Sequence, residues 1–337
     1  MKNKENLSKV LHKQENWERK YGRIRPIIQI SANGTTFIAV GSRLFPSKNW
    51  RTFPDFLMDY LKLILGKEWW SNECSKNPKE RHFIVKWCYD IYEFKKKQIP
   101  GENGIYSSIP TGPYSAVMHI AYDLYILEHH LKLHRELVRR LKIPDQFQGA
   151  RYELFAVATC FRAGFDIEFE DEKNRQKKHP EFIATHRITG QKIAVEAKSR
   201  HRSGVLGQIG SPINSPRANI GNILNKAFLK EPDYPYVVFL DVNLPPSENE
   251  NFSRPWINQI IKTISHLCDG KGKDRFNLLI FTNIPHHYGD PQSTDPQKAF
   301  IWTFSNNPCI EAAHRGALDE IPNAAMLYTN IPNELPF

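Results

Sequence analysis

The chain has 337 residues, 40% hydrophobic and 24% charged, with 46 Lys and Arg against 36 Asp and Glu for a formal net charge of +10. No run approaches the roughly 18 consecutive apolar residues of a membrane span, and the opening MKNKENLSKVLHKQENWERKYGR lacks the apolar stretch of a secretory signal. The five cysteines (Cys74, Cys88, Cys160, Cys268, Cys309) are odd in number and far apart, so the expectation is a cytoplasmic protein with no membrane partner and reduced, mostly packing thiols, whose basic excess favours a polyanionic partner.

In chain order, a charged segment leads into RPIIQISANGTTFIAVGSRLFP, where two alternating β-prone runs flank Asn33-Gly34, the strongest hairpin signal present. Helical apolar spacing runs from Thr52 to Leu65 and stops at Gly66, with Trp69 and Trp70 as anchors. A further helix covers about 80–97, and QIPGENGIYSSIPTGP breaks the pattern. YSAVMHIAYDLYILEHHLKLHRELVRRLKI predicts one long helix ending before Pro144. PDQFQG then reads as the joint between a mostly helical N-terminal domain (1–145), for recognition, regulation or oligomerisation, and a second domain (146–337).

The second domain opens with a helix from about Gly149 to Ala163, striped by Leu154, Phe155, Val157, Ala158 and Phe161 and stopped by Gly164, before a strand from Phe165. HPEFIATHRITGQKIAVEAKSRHR follows. Glu181 comes after Pro180, Thr189-Gly190 turns the chain back antiparallel, and alternation puts Glu196 and Lys198 on one strand face with Ala194, while Ile193, Val195 and Ala197 turn into apolar packing. Downstream, NIGNILNKAFLK predicts a helix, YPYVVFLDVNLP a buried strand, 247–255 an exposed loop, 256–268 a helix and RFNLLIFTNI a strand. The last forty residues offer a short strand near 325–328 and little else.

Phosphodiester cleavage needs a divalent ion on oxygen ligands, an activated water and positive charge where the transition state grows more negative. Two acids and a lysine supply those parts. The pattern resembles the PD-(D/E)xK, or restriction-endonuclease-like, nucleases: an acid after a proline at Pro180-Glu181, a hairpin, then acid, spacer, lysine at Glu196, Ala197 and Lys198. The departure is Glu181, where the family usually has Asp, one methylene shorter. The element order from about Gly149 to Leu244 agrees as well.

The resemblance implies an α/β fold with a restriction-endonuclease-like mixed β-sheet core flanked by helices. It implies a metal-dependent endonuclease acting on DNA, in restriction, repair or phage defence, with RNA left open as substrate and a homodimer as an expected assembly. Glu181, Glu196 and Lys198 would be catalytic, the metal being Mg2+, with Mn2+ as the alternative. Glu181, Glu196 and the Ala197 backbone carbonyl would hold it, and Glu153 would sit in its outer shell. Lys177, Lys178, Arg200, Arg202, Gln208 and Lys226 are candidates for nucleic-acid contact, with His201 another possible phosphate contact, and GSPINSPRANIGN reads as a flexible edge beside the site. Two other readings stay open: a nuclease-fold binding module without cleavage, and a basic protein-interaction protein.

Rival constellations are weaker. His130 and His134, and His119 and Asp123, have i,i+4 spacing on the long helix but lack the glutamate of a zinc-helix signature. Trp69, Trp70, Trp87, Tyr89 and Tyr92 could stack bases, but their helical spacing favours core packing.

Overall fold

The computed structural model describes residues 2–101, 104–170, 179–203, 205–206, 220–244, 255–268, 272–289 and 300–335. It is a mixed α/β protein with a three-stranded antiparallel sheet and a six-stranded mixed one.

After helix α1 (Lys2–Tyr21), strands β1 (Ile28–Ala32), β2 (Thr35–Val40) and β3 (Arg43–Ser47) form an antiparallel meander. Asn33 and Gly34 both take positive φ, 51° and 71°, as a two-residue turn between strands requires. The expected hairpin is therefore present, and a third strand extends it. Helix α2 (Phe53–Leu65) starts at a capping box in which Thr52 accepts from the Asp55 N–H and Asp55 reaches back, and it ends at Gly66. Helices α3 (Lys67–Ser75) and α4 (Phe83–Lys96) follow.

The single long helix expected next is two: α5 (Gly112–His130) and α6 (Arg135–Leu141). Leu131 is extended (φ −141°, ψ 164°), and the break lets His134 stack flat on Phe169 with ring centroids 4.2 Å apart. No glycine or proline marks the break, because a tertiary contact makes it. PDQFQG is likewise no linker but the first turns of α7 (Pro144–Arg162), with Pro144 at the first helical position, where its missing N–H costs nothing. Buried on nearly all sides, α7 lies between α5 and the large sheet, so one apolar core containing Tyr21, Phe56, Tyr125, Phe155, Val195 and Tyr328 crosses the expected 145/146 boundary.

The large sheet runs β4 (Phe165–Phe169), β5 (Phe182–His186), β6 (Lys192–Ser199), β7 (Tyr236–Asp241), β8 (Leu278–Thr282) and β9 (Phe300–Phe304), adjacent in that order. β4, β5 and β6 are antiparallel, β6, β7 and β8 parallel, and β9 antiparallel. The parallel steps cross over through α8 (Gly221–Ala227) and α9 (Pro255–Leu267), as parallel neighbours require. Helix α10 (Arg315–Met326) occupies the region expected to hold only a short strand, and β9 was not foreseen. Ala317, Leu318, Ile321, Ala324 and Ala325 bury one helical face despite Pro322. The polar stretch 247–254 lies outside the described residues, and among the described residues no helix is long and apolar enough to cross a membrane.

His82 caps α4: its Nδ1 accepts the Ile84 N–H at 3.3 Å, and its ring packs edge-on against Trp69 and Phe147. Burial pushes its pKa down from 6.5 to about 4. Because the folded pKa is depressed in a base, the neutral ring's contribution is full above pH 6.5 and is lost as pH falls toward 4. Urea midpoints are expected to drop between pH 7 and 4.5 by an amount worth up to on the order of 3 kcal/mol. The His82→Gln variant should show a flatter profile, and an unchanged slope would assign the acid sensitivity elsewhere.

Candidate active site

Strand register assembles the site. Phe182 pairs with Val195 and Ile183 with Ala194, and the Glu181 N–H turns in to donate to the Val195 carbonyl at 2.9 Å. Glu181 therefore enters alongside Glu196. Ala194 joins the apolar cluster of α8 and α9 with Ile183 against it, whereas Ile193, Val195 and Ala197 join the core under α7. Alternation then sets Glu181, Glu196 and Lys198 on the α8/α9 face of the sheet.

Lys198 Nζ stands 2.5 Å from Glu196 Oε1 and 2.9 Å from Glu181 Oε1. One ammonium thus draws both acids together, and the two oxygens can be no farther apart than these contacts laid end to end. A second ammonium, Lys230, comes within 3.7 Å of Glu196 Oε1 from just beyond α8 and donates to the His179 carbonyl. Sequence reasoning chose Lys226, which is exposed on α8, and missed Lys230 one turn later.

Electrostatics set the protonation. Burial pushes the Glu196 carboxyl up, with Lys198 pulling it back and Glu181 adding to the rise, for a net increase. Burial works against charge on Lys198, but Glu196 and Glu181 outweigh it and its pKa ends above the ordinary value. Lys198 is therefore an ammonium at neutral pH.

The donor set suits a hard cation. Glu196 is fully buried, and neither of its carboxylate oxygens accepts a well-formed hydrogen bond, the Lys198 contact being an ion pair. Buried carboxylate oxygens are costly unless a cation meets them; the Lys198 and Lys230 ammoniums meet Oε1. The carbonyl of Ala197 leaves β6 on the β5 edge, two residues past Val195 and beyond the last paired residue of β5. Among the described residues no group of three or more His, Cys, Asp or Glu side chains could hold a metal ion. The fullest set is thus two carboxylates and a carbonyl, an oxygen set compatible with a Mg2+ ion that keeps several waters.

Other expected residues sit elsewhere. Glu153 belongs to α7, which packs on the opposite sheet face, and its carboxylate pairs with Arg140 of α6. This corrects the expected outer-shell position. Arg200 Nη1 donates to the carbonyls of Val242 (3.1 Å) and Asn243 (3.2 Å), tying down the end of β7. Arg202 is half-buried and His201 exposed past β6. Lys177, Lys178, Gln208 and most of GSPINSPRANIGN lie outside the described residues.

A second polar cluster was not anticipated. Ser199, Asp241 and Thr282 lie side by side at the carboxyl ends of β6, β7 and β8. Asp241 accepts from Thr282 (3.1 Å), Ser199 (3.3 Å) and Tyr288, and burial pushes its carboxyl up to about 6. The signal was an acid closing the apolar run YVVFLD.

The rival constellations dissolve. His130 stacks on Phe161 and accepts the Arg25 N–H, while His134 leaves the helix. His119 hydrogen-bonds the Ser115 carbonyl, and Asp123 is taken by Arg151, Arg162 and Tyr328. Trp87 is buried as expected, but Tyr89 and Tyr92 are 54% and 56% exposed, correcting their assignment to the core. No family model, curated protein or solved structure matches the chain.

Proposed function

We propose that the chain is a divalent-metal-dependent endonuclease of the restriction-endonuclease-like class, acting on DNA. The observation that carries the reading is the convergence of Glu181 and Glu196 on the Lys198 ammonium from neighbouring strands. The surrounding order of helix α7, antiparallel β4, β5 and β6, helix α8 and a parallel β7 supports it, as does the net charge of +10.

Glu181, Glu196 and the Ala197 carbonyl would hold Mg2+, with Mn2+ as substitute. The ion, when bound, supplies Lewis-acid polarisation of a phosphoryl oxygen and lowers the pKa of a bound water. Lys198, kept cationic by its acids, positions the water and neutralises charge that builds on the phosphoryl oxygens. It does not begin as a general base, since its proton is held by both carboxylates. Lys230 offsets the charge of Glu196 at the same oxygen, from farther away.

Supercoiled plasmid incubated with the full chain is expected to be nicked or linearised with millimolar Mg2+ or Mn2+ and left intact with EDTA. A second reading has its own observation: the single Lys198 ammonium bridges both acids, as a purely structural ion triad would. DNA binding that ignores metal, with no cleavage and no calorimetric metal binding, would select that binding module over the enzyme.

A further inference from the structure

Away from the triad, the N-terminal elements enclose an open cleft of about 880 Å³ between the β2–β3 turn, the end of α5 and α6. Six cationic side chains line it, Arg25, Arg43, Lys132, Arg135, Arg139 and Lys142, against a single carboxylate, Glu128. That carboxylate is already spent: it pairs with Arg43 at 2.7 Å and accepts from the Tyr60 hydroxyl at 2.6 Å. Burial keeps His129 and His130 neutral, the latter with its pKa down at about 3, so neither changes the balance.

The cations divide by what they already do. Arg25 caps the His129 carbonyl at the end of α5 (2.8 Å), Arg139 pairs with Glu136 (2.8 Å), and Lys142 leans on the Leu65 carbonyl (3.3 Å). Lys132 and Arg135 are exposed and form no ion pair among the described residues. Beneath them the floor is apolar, from Ile64, Leu131, Leu133 and Val138. A low-dielectric floor under a ring of like charge concentrates positive potential in the cleft.

We infer that this cleft binds a compact polyphosphorylated ligand, its phosphoryl groups seated on Lys132 and Arg135 with Arg139 and Lys142 beside them. The volume lies in the range of small-ligand sites, roughly 300–1,000 Å³. No Trp, Tyr or Phe lines it, so there is no platform on which successive bases of a single strand would stack. Phosphate charge is what the lining recognises, and the enclosing turn and helix favour a short polyanion over a long backbone. Phosphoryl groups could reach the cleft from a nucleoside polyphosphate or from a nucleic-acid chain, and the ligand series below separates the two. The site shares no residue with the triad and stands whether or not the triad cleaves.

Calorimetric titration of the full chain with tripolyphosphate, ATP and a twelve-residue oligothymidylate at constant ionic strength tests it. Tripolyphosphate and ATP are expected to bind one per chain, weakened at least about tenfold by Lys132→Glu with Arg135→Glu. The charge-matched exposed control, Lys97→Glu with Lys262→Glu, neither of which lines the cleft, should stay within about twofold, since distant exposed charges are largely screened. Circular dichroism verifies that both double variants are folded. The inference is overturned if neither polyphosphate binds, if only the oligonucleotide does, or if the control loses as much affinity as the cleft variant.

Discussion

Asp123→Ala is expected to destabilise the protein by about 3–5 kcal/mol, the cost of leaving buried charge uncompensated. Asp123 is fully buried on α5 and meets two guanidiniums from α7: Arg151 at 2.9 Å and Arg162 at 3.4 Å, both almost wholly buried themselves. Its Oδ2 also accepts from the Tyr328 hydroxyl beyond α10, which His287 contacts at 2.8 Å. One carboxylate therefore pairs with two cations and ties the N-terminal helices to the sheet-bearing half and the C-terminal segment. Removing it strands both. Equilibrium urea unfolding of Asp123→Ala measures the loss, and a loss below about 1 kcal/mol would mean that the arginines find other acceptors. Arg151→Met in the same background should recover part of the stability, because fewer buried charges then lack a partner.

Local chemistry was legible in the sequence and long-range pairing was not. Asn33-Gly34 announced its turn because only a few residue types tolerate two positive φ values, and Thr52 and Gly66 announced the ends of α2 by the same kind of local logic. The facing of Glu196 and Lys198 followed from strand alternation alone, and the apolar clusters on the two sides of β6 agree with it. By contrast, the break between α5 and α6 depends on Phe169 receiving His134, some 35 residues downstream by numbering. Asp123 looked like half of a metal pair with His119 because nothing local discloses that Arg151, Arg162 and Tyr328 close around it. Glu153 shared that fate: helical position suggested the site, but its helix packs on the other sheet face and Arg140 claims it. Lys230 was missed because its approach to Glu196 depends on where α8 sits on the sheet. In each case the deciding contact is tertiary, and a one-dimensional pattern carries no record of it.

Within the nuclease reading, Lys198→Ala is expected to lower the metal-dependent nicking rate by about 10²–10³-fold, the usual cost of removing one preorganised stabilising group. Glu196→Gln should be at least as severe, since it removes a carboxylate that lies fully buried against the ammonium and would bind the ion. Lys230→Ala should be milder, roughly tenfold or less, because among the described residues it meets only one acid, Glu196, at 3.7 Å. The fold offers a check on interpretation. Lys198→Ala leaves two neighbouring acids without their shared cation, so mutual repulsion should make the variant bind Mn2+ more tightly by calorimetry while cleaving more slowly. Tighter metal binding with slower chemistry assigns Lys198 to the transition state, whereas equal losses in binding and rate would make it only a scaffold for the acids. Glu181→Asp adds a graded test, as shortening the arm by one methylene draws the carboxylate back from Lys198, at 2.9 Å in the present arrangement. A rate gain in that variant would show that the longer acid restrains the site, and a loss that β5 has adjusted its position to the glutamate.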